Sequence, residues 1–173
     1  MLLGIDLGGT KIEGIVLKSR ENPEEVIRHR VDTEEEKGYS QVISNIKSLV
    51  DYIESNINHK FSKLGIGTPG TIDPESGLLK NSNSQCLNGM PIQKDLSKVL
   101  NKSILIQNDA NCFALAETLL GSVKDQHPNA KNVFGIIMGT GVGGGVIIDG
   151  KTVYGSQGIG GEWGHTIVTD GGD

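Results

Sequence analysis

An α/β fold is predicted for this chain by three observations. Two glycine-rich segments, Leu3–Leu17 and Phe134–Ile148, repeat one strand–turn–strand pattern. A strongly amphipathic helix is written into Val42–Ile57. After it, short apolar strands alternate with helices, the order of an α/β design.

Each element has its own signal. Residues 2–6 and 12–17 read as strands joined by the first glycine turn, and polar Arg20–Glu25 leads into a third strand, Val26–Val31. Thr33-Glu34-Glu35-Glu36 has the form of a capping box. Val42, Ile43, Ile46, Leu49, Val50, Ile53 and Ile57 then recur at helical steps. Leu64–Gly67 is a short buried strand stopped by the turn Thr68-Pro69-Gly70. Asp73–Gly77 is a further turn, and residues 78–93 are irregular. A helix over Lys94–Leu100, a strand over Ile104–Gln107 and an apolar helix over Ala110–Leu120, closed by Gly121, complete the first part. The polar stretch Lys124–Asn132 marks the boundary, giving a first domain over 1–123 and the start of a second over 124–173.

Composition narrows the function classes. A net charge of −5 disfavours DNA or an anionic membrane surface as the main partner. No apolar run reaches membrane-spanning length and no basic-then-apolar leader opens the chain. Cys86 and Cys112 have no disulfide or metal spacing, so free thiols in a reducing cytoplasm are expected. With 25 glycines and only 4% aromatics, the chain suits close backbone–ligand approach better than a surface of aromatic anchors.

In the repeat, Gly4 aligns with Gly135, Gly8 with Gly139 and Gly14 with Gly145. Glycine permits positive φ and removes a side chain that would block a bound group. A turn rich in N–H groups is an anion-binding concavity. Two such turns suit the two ends of a triphosphate, and a pair of ordinary β-hairpins is the plainer alternative. Gly139–Gly144 also fits G-x-G-x-x-G, but a dinucleotide fingerprint needs a following helix. Gly145–Ile148 is instead β-branched strand. Gly145–Thr152 formally satisfies the Walker pattern, yet Asp149-Gly150 reads as a hairpin turn and no helix follows.

Three further positions carry chemistry. Asp109, in Asn108-Asp109-Ala110-Asn111, falls at a strand's carboxyl end, where ligands of α/β sheets bind. It could take the proton of an attacking hydroxyl, or simply cap the helix. Asp6, directly before the first turn, suits contact with magnesium through water. In Gly160-Gly161-Glu162-Trp163-Gly164-His165, Glu162 and His165 could converge on sugar hydroxyls. Taken alone, a structural histidine is the commoner role. Trp163 reads as a packing anchor, and His29, His59 and His127 carry no signal.

Asp6–Lys11, Asn108–Asn111, Gly139–Gly145 and Gly161–His165 together resemble the motif series of the ROK family, bacterial sugar kinases and sugar-responsive repressors with an actin-like ATPase (ribonuclease H-like) fold. The resemblance spans essentially the whole chain. It implies Asp109 as catalytic base, with Gly70, Asn83, Asn108, Glu162 and His165 holding a hexose. It also implies that Asp6, Gly8, Gly9, Thr10 and Lys11, with Gly139, Thr140 and Gly141, hold ATP and Mg2+. Lys80–Ser84, Leu87–Gly89 and Glu162–His165 look most like fructokinases, with mannose as a second substrate. N-acetylglucosamine kinases come next and glucokinases third. A repressor would carry a helix-turn-helix before the first phosphate turn, which here begins at residue 6.

Family members run to nearly twice this length. They bind a structural Zn2+ through the equivalent of His165 and three later cysteines. The resemblance therefore implies an incomplete second domain, zinc and a homodimer only in the full-length form, and no activity from these 173 residues alone.

Overall fold

The computed structural model describes residues 1–138 and 142–165, with His165 at the level of the backbone. The chain divides into two compact units, Met1–Asp109 and Ala110–Asp173.

The first unit is built on a five-stranded sheet in the order β3-β2-β1-β4-β7. Its strands are β1 (Leu2–Leu7), β2 (Lys11–Leu17), β3 (Glu25–Asp32), β4 (Lys63–Thr68) and β7 (Ser103–Asn108). The first three form an antiparallel meander, and β4 and β7 add on in parallel with β1. A two-stranded ribbon, β5 (Thr71–Ile72) with β6 (Leu79–Lys80), leaves the end of β4. Register brings three strand ends together, because Asp6 pairs with Gly67 and Thr68 with Asn108.

Helix α1 (Tyr39–Ile57) packs on β2 and β3, and α2 (Ile92–Leu100) on β7 and α1. The apolar stripe of α1 from Val42 to Ile53 is buried, as its helical spacing predicts. It meets Leu3, Ile5, Leu7, Ile12 and Val16, which alternate along β1 and β2. Gly14 faces α1 directly: a Cβ there would stand 2.5 Å from Ile53 Cδ1, so the end of that side chain would have to move aside. Both helices end on asparagine in the left-handed region, Asn58 and Asn101.

The capping box expected at Thr33 does not form. Glu34 is left-handed, Glu35–Lys37 is a 3-10 turn, and α1 starts after Gly38 with no side-chain cap. The Thr33 hydroxyl is used elsewhere, on the backbone of the first glycine turn. Residues 78–93, irregular by pattern, hold β6, a 3-10 turn over Gln85–Leu87 and the first turn of α2.

The second unit opens with α3 (Asp109–Leu119, Asp109 itself closing the first unit) and α4 (Ser122–Gln126). A three-stranded antiparallel sheet follows: β8 (Asn132–Met138), β9 (Val142–Ile148) and β10 (Lys151–Thr152), in the order β10-β9-β8. The units divide at Asp109/Ala110, ahead of the polar stretch where sequence places the boundary, because α3 packs on this sheet. A Cβ at Gly135 would lie 2.7 Å from Ala114 Cβ, and one at Gly145 would lie 2.5 Å from the Ala110 carbonyl. Among the described residues no helix is long and apolar enough to cross a membrane.

One charge in the first unit is buried outright. Glu54, only 2% exposed, receives Lys102 Nζ at 2.7 Å, Lys60 Nζ at 2.8 Å and the Phe61 N–H at 2.8 Å. Burial alone would raise its pKa. The hydrogen bonds from Lys102, Lys60 and Phe61 outweigh that and hold it at about 2, against an ordinary 4.5. A depressed carboxylate stabilises the fold fully above its unfolded value and loses that contribution as pH falls. Glu54→Gln should therefore cost about 3–5 kcal/mol at neutral pH, the penalty for stranding a buried partner. The gap from wild type should narrow as pH drops from 4.5 towards 2. Thermal unfolding across that range measures it, and a pH-independent gap would refute the ionic origin.

Candidate active site

The carboxyl ends of β1, β4 and β7 form one edge of the first unit, and the predicted site residues of that unit gather there. After Asp6 and Leu7 the chain turns tightly through Gly8, Gly9 and Thr10, with the Gly8 N–H bonded to Lys11 O at 3.0 Å. Neither glycine of this turn has positive φ. Their value is room: a Cβ at Gly8 would stand 3.1 Å from Lys11 O. A Cβ at Gly9 would stand 3.5 Å from Ser84 Oγ and within 3.8 Å of the Glu35 carboxylate.

Thr33, fully buried, fastens this turn from behind. Its N–H donates to Thr10 O at 2.9 Å and its hydroxyl to Gly8 O at 2.7 Å. Sequence reading missed this role, because the partner lies 25 positions away. Lys11 pairs with Asp32 on the adjacent strand. Both side chains are more than half exposed, so the pair contributes little and Lys11 can exchange partners cheaply.

The turn after β4 supplies the opposite wall. Gly70 adopts φ +83°, and a Cβ there would stand 2.4 Å from Lys80 O and 2.8 Å from the Ser82 nitrogen. No other residue fits. Asn108 is buried and its Nδ2 donates to Gly70 O at 3.3 Å, tying the end of β7 to this turn. Asn83 is exposed between the buried Ser82 and Ser84.

Asp109 begins α3 directly beyond β7. Its charge reaches Asp6, whose carboxyl is pushed above its usual range by desolvation first, then by Asp109 and Glu13, with Arg30 opposing. Asp6 keeps an open side to solvent. Glu13, opposite Asp6 in register, is clasped by Arg28 and Arg30 from β3. Desolvation would lift the Glu13 carboxyl, but the hydrogen bonds from Arg30 and Arg28 hold it below the usual range.

In the second unit the glycines of Gly160–Gly164 let one backbone lie flat on another. A Cβ at Gly161, where φ is +92°, would stand 2.7 Å from Gly144 O, and one at Gly164 would stand 2.1 Å from Val142 O. This presses the Glu162 turn onto β9, with Glu162 Oε2 4.0 Å from where a Gly143 Cβ would be. Trp163 meets Phe134 edge-on at 6.3 Å and covers Gly144, the packing role expected of it. Gly139, Thr140, Gly141 and the His165 side chain lie outside the described residues.

Asp6, Asp109 and Glu13 are the acidic groups felt at the first unit's edge. Among the described residues no three His, Cys, Asp or Glu side chains form a metal cluster.

A mixed sheet with helices on its flank, ending in a bare turn beside two aspartates, defines an α/β protein of the actin-like ATPase class. The chain belongs to the ROK family, whose profile matches residues 2–173. It is 40% identical over 166 residues to the N-acetyl-D-glucosamine kinase of Aliivibrio fischeri, covering 96% of this chain and 52% of that protein. The ROK hexokinase of Thermus thermophilus superposes with a TM-score of 0.81 at 30% identity, covering 97% of this chain and 53% of that one. A ROK family glucokinase of Streptomyces griseus, solved with glucose and AMPPNP, gives 0.79 at 26%, covering 97% and 51%. The chain thus spans about half the length of the curated relatives it matches.

The electrostatic pattern is testable. Arg30→Met removes a positive charge from Asp6 and leaves Glu13 less neutralised, and both effects disfavour the Asp6 carboxylate. The Asp6 pKa should rise further, read from its carboxyl carbon in an NMR pH titration. A fall would contradict the assigned causes.

Proposed function

We propose that the complete protein transfers a phosphoryl group from ATP to a hydroxyl of a hexose. The observation that carries this reading is the position of Asp109. It stands at the carboxyl end of β7, close enough to Asp6 to raise its pKa, on the edge that holds the side-chain-free turn, in a chain of the ROK family.

Asp109 accepts the proton of the sugar hydroxyl as that oxygen forms its bond to the γ-phosphorus. The bond from phosphorus to the bridging oxygen breaks and ADP leaves. The N–H groups of Gly9 and Thr10 and the freed Lys11 ammonium face the phosphates, while the Gly8 N–H holds the turn closed on Lys11 O. Gly139, Thr140 and Gly141 serve as the second phosphate turn. Magnesium, when bound, would offset phosphate charge, and Asp6 is the residue that would hold it through water. Gly70, Asn83, Glu162 and His165 orient the sugar, and Asn108 braces the Gly70 turn.

Loss of a general base lowers turnover by about 10²–10⁴. Asp109→Asn in the complete protein should show a loss of that size in kcat while calorimetric sugar binding survives. Near-normal turnover in a folded variant would remove Asp109 from the base role.

N-acetyl-D-glucosamine is proposed as the preferred sugar, because the A. fischeri relative carries that name at 40% identity. The fructose preference expected from Lys80–Ser84 and Leu87–Gly89 finds no support among the relatives described, and fructose ranks second here. A hexose panel with ATP, scored by kcat/KM, separates them. N-acetyl-D-glucosamine should exceed fructose, mannose and glucose, and a clear win for fructose would reverse the ranking.

A further inference from the structure

Residues Leu79–Met90 form a closed loop. Its neck is sealed by backbone bonds, Leu79 N–H to Met90 O at 3.0 Å and Gly89 N–H to Leu79 O at 2.8 Å. Across its middle a single side chain takes the place of a paired strand. Asn88 Oδ1 accepts the Ser82 N–H at 2.9 Å, and Asn88 Nδ2 donates to Ser82 O at 2.8 Å. Nδ2 also reaches Gln85 Oε1 at 3.4 Å, and the Ser84 N–H donates to Ser82 Oγ at 3.2 Å. A carboxamide offers a donor and an acceptor side by side, which neither Asp nor Ser can do. The clasp fixes an alternation in which Ser82 and Ser84 are buried and Asn81 and Asn83 are exposed.

The clasped segment touches both sides of the edge described above. On one side its Ser82 nitrogen lies against Gly70, whose carbonyl holds Asn108. On the other, Ser84 Oγ lies against Gly9 of the phosphate turn. We infer that Asn88 is a positioning residue that sets one rigid loop against both subsites, placing Asn83 for the sugar and backing the Gly8–Thr10 turn for the nucleotide. This rests on the sugar-kinase reading. Asn88 itself touches neither ligand.

The two roles predict different kinetic signatures in the complete protein. Asn83→Ala loses a sugar contact and should raise KM for the sugar alone. Asn88→Ala and Asn88→Asp both break the clasp, the second without changing side-chain size. Each should raise KM for sugar and for ATP together by about tenfold, the value of one or two hydrogen bonds, with kcat changed less than KM. Calorimetry with the sugar and with a non-hydrolysable ATP analogue should show the same paired loss. A purely structural asparagine would lower Tm and leave both constants unmoved. That result, or a change confined to one ligand, overturns the inference. A wild-type complete protein that binds no hexose overturns the sugar-kinase reading and this inference with it. A wild type that binds and turns over hexose beside an Asn88→Ala with unchanged constants overturns this inference alone.

Discussion

The first glycine turn must be bare and still at once, and those demands conflict. Gly8 and Gly9 clear the space a phosphate would need, but glycine is the residue most costly to immobilise. The fold resolves this from outside the turn. Thr33 binds Gly8 O with its hydroxyl and Thr10 O with its N–H, from a fully buried position where such bonds face little competition from water. Thr33 directly follows β3, so the length of the third strand determines where the turn is held. The meander β1-β2-β3 is thus a brace for three residues.

The same economy runs through the second unit. Gly14 of β2 and Gly145 of β9 occupy equivalent positions in the sequence repeat, and each faces a helix, Gly14 the side chains of α1 and Gly145 the backbone of α3. What is duplicated is therefore a hairpin together with the glycine that faces its helix. Gly144, Gly161 and Gly164 extend this to the other face of β9, where backbone meets backbone. Alanine at Gly145 would collide with a carbonyl, whereas a Cβ at Gly143 would find ordinary contact at 3.5 Å.

Strands β1 to β4, β7 and helix α1 were legible because burial imposes periodicity on sequence, and Leu3, Ile5, Leu7 or Val42, Ile46, Val50 record it directly. The positions of Asp6, Gly70 and Asp109 at or just beyond strand ends were legible because the apolar strands before them stop there, while the roles proposed for them came from the family resemblance. Thr33 misled, since a threonine followed by three glutamates satisfies a local pattern while its actual partners, Gly8 and Thr10, lie in the distant first glycine turn. The stretch 78–93 looked irregular because its elements are short and are joined by a few backbone bonds and by Asn88 on the backbone of Ser82, none of which leaves a periodic trace. The domain boundary was drawn at the most polar stretch, but compactness follows packing, and α3 packs on β8 and β9 through Gly135 and Gly145.

Charge completes the argument. Arg28 and Arg30 on β3 neutralise Glu13 on β2, which lies opposite Asp6 on β1, so a row of charges crosses three strands. The row ends unbalanced. Glu13 is satisfied and its pKa is lowered, while Asp6 is left raised, by desolvation first and then by Asp109 and Glu13. Packing alone would favour an uncharged residue at Asp6, because burial, Asp109 and Glu13 all disfavour its ionised form and Arg30 alone opposes them. The Asp6 carboxylate thus lies where negative charge is poorly balanced, directly before a turn whose Gly8 N–H is bonded to Lys11 O. On the proposed kinase reading, a metal-bound phosphate chain would bring its cation near Asp6 and its anion against the neighbouring turn, offsetting both the excess negative charge and the open N–H groups.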